Sequence, residues 1–251
     1  MSLRYYEIAE KNHRILNPFT HDKLMHLGEI CRLGPGGRQL DLACGKGEML
    51  CRWAEAYEVI GTGVDISEVF IDAARRRAVE LEIDSHVFFV LEDAAEYPAP
   101  ADTYDIISCI GANWIGGGTR GTLDLVRSKG LKNSPDSLIL MGEIFWREEP
   151  PQEALDAMGV ERGEWAVGLE GITKVFEDSG TRLVEMVLAT DTEWDRYQSM
   201  HWWAFDQWFR DNPEDPELEY LTNFAVKSRL DYYRYERPLC EWGVFVLRLA
   251  G

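Results

Sequence analysis

The 251-residue sequence predicts an α/β protein built on a doubly wound, mostly parallel sheet. Three observations carry that prediction. Short apolar strands alternate with helix-length amphipathic stretches over the first two thirds of the chain. Strands such as Val87–Leu91 (VFFVL) are apolar at every position, as helices packed on both faces of a sheet require. A glycine-rich turn follows the first strand and opens a helix, at the crevice where sheets of this kind hold ligands.

The elements follow in order. The N-terminal ~35 residues read as helical, with a break at Asn17-Pro18, because the residue before a proline is pushed out of the α region. Arg38–Leu42 is the first strand, entered through the turn Gly34-Pro35-Gly36-Gly37. Glu48–Ala56 is a helix and Glu58–Val64 the second strand. Ser67 caps a helix over Glu68–Leu81. Val87–Leu91 and Tyr104–Ile110 are the third and fourth strands, Thr122–Gly130 a helix closed by glycine, and Ser137–Ile144 the fifth strand. Pro151–Gly180 supplies one or two helices before a sixth strand, Arg182–Ala189, and Gly243–Leu249 is the last. The stretch between those two is too long for a hairpin or a structureless loop. It reads as a helical insertion, 191–238, packed over one edge of the sheet. Residues 191–220 hold nine acidic and two basic side chains and four of the nine tryptophans. The expected organisation is a single domain: an N-terminal helical cover (1–36), a core (37–190), the insertion or lid (191–238) and the last strand (239–251).

Composition narrows the partners. Lys plus Arg is 26 and Asp plus Glu is 44, a net charge of −18. That field repels phosphate backbones, so no nucleic-acid partner is expected. The densest basic run, Arg75-Arg76-Arg77, reads as a solvated helix face. Five cysteines with no C-x-x-C pair argue against a disulfide framework or structural zinc. No signal-like run and no apolar stretch of about 18 residues appear, so a cytoplasmic protein without a membrane partner is expected. His21 and His26 are five apart and share no helical face, so no metal is expected. The oligomeric state is not legible.

The sharpest signal is Leu40-Asp41-Leu42-Ala43-Cys44-Gly45-Lys46-Gly47-Glu48, where small residues let the backbone turn tightly and approach a ligand. Asp65 ends the second strand, where a carboxylate can accept both hydroxyls of a ribose. Asp93, just past the third strand, can accept from an adenine amino group. These loops lie at the carboxyl ends of neighbouring strands and so line one crevice. A dinucleotide fingerprint wants a third small residue, but Leu50 stands there, and no phosphate-cradling G-x-x-x-x-G-K-[ST] is present. An acidic site opposes a pyrophosphate and suits a nucleoside carrying a positive sulfonium.

The arrangement resembles the class I S-adenosylmethionine-dependent methyltransferases, in their bacterial small-molecule branch. Their D-x-G-x-G-x-G motif stands here as Asp41-Leu42-Ala43-Cys44-Gly45-Lys46-Gly47, with Ala43 where the family often has glycine. The resemblance covers roughly residues 20–190 and the last strand. It implies a Rossmann-like sheet of seven strands with the last antiparallel, S-adenosyl-L-methionine as cofactor, and a cofactor site of Asp41, Ala43, Cys44, Gly45, Gly47, Asp65, Ile66, Asp93, Ala94, Ile110 and Gly111. The expected activity is methyl transfer to a small-molecule acceptor, chiefly by positioning, with no catalytic residue assigned. An NAD(P)-dependent oxidoreductase and a non-catalytic cofactor-binding module are the alternatives. Acceptor candidates are Asn113 and Trp114 after the fourth strand, His21 before the N-terminal helix, and His201 with Trp202 in the aromatic run of the insertion. Tyr5 and Tyr6 reach the site only if the N-terminal arm folds over it.

Overall fold

In a computed structural model of the protein, residues 3–250 are described. Seven strands form one sheet: β1 Arg38–Leu42, β2 Ile60–Asp65, β3 Val87–Leu91, β4 Ile106–Ile110, β5 Leu138–Trp146, β6 Thr181–Leu188 and β7 Cys240–Leu249. Their spatial order is β3-β2-β1-β4-β5-β7-β6. The first five run parallel, and β7 lies antiparallel between β5 and β6. The order reverses between β1 and β4, so loops leaving those two strands diverge and open a crevice. The fourth strand is shorter than its apolar run suggests. Tyr104 makes only an isolated bridge with Leu131, and regular pairing begins at Ile106.

Helices cover both faces. On one lie α2 His21–Ile30, α3 Glu48–Tyr57, α4 Glu68–Glu80 and α6 Gln152–Met158, around a core that includes Leu27, Leu50, Trp53, Ile71 and Leu140. On the other lie α5 Thr119–Arg127 and α7 Gly168–Asp178, around Leu42, Ile107, Leu123, Phe176 and Phe245. Sequence logic sets the helix starts. Thr20 and Ser67 accept the first free N–H groups of α2 and α4, and Thr190 with Glu193 forms a capping box for α8 Asp191–Asp211.

The insertion is helical, and it packs in two directions. Trp194 and Tyr232 join the core beside Val187 of β6 and Cys240, Trp242 and Val244 of β7. α8 and α9 Leu218–Asp231 also pack against α1 Leu3–Ala9, with a small core of their own: Tyr5, Ile8, Ala9, Phe205 and Leu221. Tyr5 sits between Phe224 and Phe205, ring centroids 4.0 and 5.0 Å away. Ion pairs fasten the ends of this layer: Arg4 with Asp215 and Glu217, Lys23 with Glu193, and Arg237 with Asp191 and Asp195. Much of the acidic excess noted in 191–220 is thus spent on cations from other segments. Among the described residues no helix is long and apolar enough to cross a membrane.

Candidate functional site

The glycine-rich turn leaves β1 with three left-handed residues, Ala43 (φ 57°), Gly45 (φ 54°) and Gly47 (φ 65°). Ala43 shows that the first of these positions tolerates a Cβ, at the strain cost such a backbone carries for an L-residue. The glycines are constrained by protein contacts. A Cβ on Gly45 would lie 2.6 Å from Leu16, and one on Gly47 would strike Phe89 and Ala74. The bulky Leu50, which breaks the dinucleotide pattern, finds its room in β2. Gly61 and Gly63 there leave space that a side chain on either would take from Leu50.

Three carboxylates were expected at the strand tips, and each has a different situation. Asp65 holds the turn: Gly45 N–H donates to one oxygen at 2.8 Å and Ser67 N–H to the other at 2.9 Å. Burial raises its pKa, and those main-chain donors oppose the rise. Asp41 is fully enclosed, accepting from Ser108 Oγ at 2.6 Å; burial pushes its pKa up to about 7, and the charge of Asp65 adds to the effect. Asp93 is exposed and accepts from Ala95 N–H at 2.8 Å, a local turn cap. Beside them Ala94 is buried, while Ile66 and Leu91 present apolar surface to solvent, 61% and 47% exposed. Cys44 is a packing residue, for burial holds its thiol far above the thiolate range.

The acceptor candidates separate. Asn113 is committed to the protein: its amide donates to Glu143 Oε2 at 2.8 Å. Trp114 is 63% exposed and stacks on Tyr6 of α1, ring centroids 6.2 Å apart, so the N-terminal arm does reach the β4 loop. His21 is exposed on the first turn of α2. Trp202 turns toward Tyr232 and Tyr233, whose ring centroids lie 5.9 and 5.4 Å away. His201 points into the cover, with Nε2 2.9 Å from Glu10 Oε1.

Residues 10–19 roof the crevice. Leu16 lies against Gly45, and Asn17 donates to the Ile110 carbonyl at 3.4 Å while its side chain abuts Gly111. Lys46 of the turn reaches up to the carbonyls of Glu10 (2.7 Å) and His13 (2.8 Å), and burial lowers its pKa to about 8. Two concavities flank this roof. One, of about 380 Å³, lies between it and α8 and is lined largely by apolar groups of Ile15, Phe19, Tyr197 and Met200. The other, of about 520 Å³, gathers Lys11, Arg14, Lys46 and Arg76 from three segments, with Glu7 and Glu80. This local basic surface escaped sequence reasoning, which read Arg75-Arg76-Arg77 as one solvated face. Arg77 is instead only 12% exposed and is doubly bonded to Glu48, at 2.8 and 2.9 Å.

Two further groups were missed. Glu143, inside the otherwise apolar β5, is fully buried with a pKa raised by burial to about 7; it accepts from Asn113 and Thr119, and its Oε1 has no partner. An acid within LILMGEIFW was a readable signal. The second is Glu10 with His13, which no periodicity brings to His201 on α8 and which only the tertiary fold assembles.

The comparisons agree with this geometry. The family model described as a methyltransferase domain matches residues 40–122. The uncharacterised protein YjhP of Escherichia coli K12 is 41% identical over 248 residues, covering 97% of each chain. The crystal structure of an S-adenosylmethionine-dependent methyltransferase from Thiobacillus denitrificans, in complex with S-adenosyl-L-homocysteine, is 38% identical, covers 99% of each chain and superposes with a TM-score of 0.91. A second such complex, from Geobacter sulfurreducens, is 37% identical over 99% of this chain and 98% of its own, with a TM-score of 0.92. Matches of this identity and extent set the oxidoreductase and non-catalytic alternatives aside: the chain belongs to the class I S-adenosylmethionine-dependent methyltransferases.

Proposed function

We propose that this enzyme methylates a small-molecule acceptor held under the N-terminal cover, with S-adenosylmethionine in the crevice over β1 and β4. The observation that carries the reading is the roof itself. Concavities of about 380 and 520 Å³ beside it fall in the size range of small-ligand sites. The matched part of a second relative points the same way: 27-O-demethylrifamycin SV methyltransferase of Amycolatopsis mediterranei, 40% identical over 81 residues, is named for a small-molecule substrate.

The residues fit the cofactor. Exposed Ile66 and Leu91 offer flat apolar faces to a base. Asp65 and Asp93 each have carboxylate lone pairs beyond those their main-chain donors use, which suits ribose hydroxyls and an adenine amine. Asp41, Ala43, Cys44, Gly45, Gly47, Ala94, Ile110 and Gly111 complete the proposed lining. When bound, S-adenosylmethionine supplies a methyl group already activated on a sulfonium. The chain's own contribution is then to align the acceptor and exclude water. Trp114 under Tyr6 is the proposed acceptor-side contact, whereas His201, Trp202, Asn113 and His21 act through the protein groups they touch rather than on the acceptor. Five unpaired cysteines suit a reducing cytoplasm.

Calorimetric titration with S-adenosylmethionine tests the cofactor half, and release of S-adenosylhomocysteine across a panel of metabolites tests the acceptor half. Turnover with a small molecule is the expected result. Turnover only with protein or nucleic acid would replace the acceptor reading.

A further inference from the structure

The buried polar cluster between the cover and α8 has an unbalanced charge pattern. His13 Nε2 lies 3.0 Å from the main-chain carbonyl of Tyr197, and a carbonyl only accepts, so Nε2 carries the proton. That leaves Nδ1 with its lone pair, 3.0 Å from Glu10 Oε2 but aimed to one side of it, so that the two are not aligned for a hydrogen bond. Both atoms are buried and neither has a hydrogen-bond partner. Two acceptors at that distance repel, and a buried pair of this kind is expensive unless a cation lies between them. The other carboxylate oxygen, Oε1, lies 2.9 Å from His201 Nε2 and accepts the Tyr197 hydroxyl.

We propose that Glu10, His13 and His201 bind a divalent cation of the zinc class, one that clips the N-terminal cover to the insertion. The candidate ligand atoms of the three residues all lie within 4.8 Å of one another. Ligands about 2.1 Å from a common tetrahedral ion sit about 3.4 Å apart; His13 Nδ1 lies 3.0 Å from Oε2 and His201 Nε2 2.9 Å from Oε1, so the two imidazoles flank the carboxylate and a small outward shift admits the ion between them. Two imidazoles and one carboxylate suit zinc and its neighbours, whereas magnesium and calcium want oxygen alone. The outer groups have the usual arrangement of a metal site. The Tyr197 carbonyl fixes the His13 tautomer from behind, and the Tyr197 hydroxyl orients the carboxylate. Three protein ligands leave a fourth position open. The ligands come from two layers: 10 and 13 belong to the roof over the crevice, and 201 is on α8. Lys46, bonded to the carbonyls of both Glu10 and His13, ties the site to the cofactor turn.

The test uses untagged protein stripped with a chelator and titrated with cobalt(II), whose visible absorption reports a low-symmetry nitrogen–oxygen site. One equivalent should bind with a visible band that zinc then displaces. His13→Ala with His201→Ala should weaken binding more than tenfold, Tyr197→Phe about tenfold, and His26→Ala with His86→Ala should leave it intact. A wild-type titration with no stoichiometric band overturns the proposal. So does a His13/His201 variant that titrates like wild type. The wild-type titration decides even where the double variant fails to fold. Cofactor calorimetry on the stripped protein keeps this result separate from the methyltransferase reading.

Discussion

The sheet and the cover both bury polar side chains and both leave some atoms without partners, Gln39 Oε1 and Glu143 Oε1 in the sheet, but they bring those side chains together in different ways. In the sheet, Gln39, Asp41 and Ser108 lie on adjacent strands in parallel register, and Ser108 links the other two by bonds of 3.1 and 2.6 Å. In the cover, Glu10, His13, Tyr197 and His201 come from segments almost two hundred residues apart, and two of their atoms lie close together unsatisfied. Regular pairing fixes its polar neighbours through backbone geometry. A helical layer packed on loops has no such template, and relies on side-chain packing and ion pairs.

The largest effect that sharpens this contrast is stability. Trp53 is fully buried and donates to the Leu24 carbonyl at 3.0 Å, so Trp53→Ala should cost about 4 kcal/mol of global stability in urea unfolding. Phe205→Ala, in the cover's own small core, should instead raise hydrogen exchange in α1 and α8 while leaving Val87–Leu91 protected. Equal loosening of both regions would mean that cover and sheet unfold as one unit.

Asp65→Ala removes the acceptor of two main-chain N–H groups along with the proposed ribose contact. Binding of S-adenosylmethionine should weaken about 100-fold, or about 3 kcal/mol, by calorimetry. Next comes pH. Glu143 has its folded pKa raised to about 7, above its unfolded value, so the native state holds the proton more tightly. Stability is then greatest below the unfolded value, falls as pH rises toward 7 and levels off above it, with Asp41 and Glu236 acting in the same sense. Glu143→Gln should remove its share, on the order of 2–3 kcal/mol between pH 4.5 and 7.5, by urea unfolding at several pH values. A positive ligand near Asp41 favours its charged form. Affinity for S-adenosylmethionine should therefore rise by up to about tenfold per pH unit below 7, with proton release, whereas the neutral thioether product should show a flatter profile. The smallest expected effect is Tyr6→Ala. Losing one partly exposed stack on Trp114 should cost about 1 kcal/mol or less, seen as faster exchange of the N-terminal arm.

How much was legible follows the same division. The strands and the crevice carboxylates were readable because period, turn chemistry and strand-end position are local properties of the chain. VFFVL, Asp41 and Asp65 need no knowledge of what packs on them. The direction of Trp202, the engagement of Asn113 with Glu143 and the meeting of His13 with His201 depend on which helix faces which. Ser67 could be read as a cap from its neighbours, whereas Arg77 looked solvated until Glu48 arrived from a different helix.

The position of β7 between β5 and β6 has a consequence for how the molecule is made. As the chain leaves the ribosome, β6 emerges with no strand to pair with, and the whole stretch between Leu188 and Cys240 must follow before its neighbour appears. For that interval the growing polypeptide carries two open ladders, one on β5 and one on β6. Both stay open until the closing strand is threaded between them.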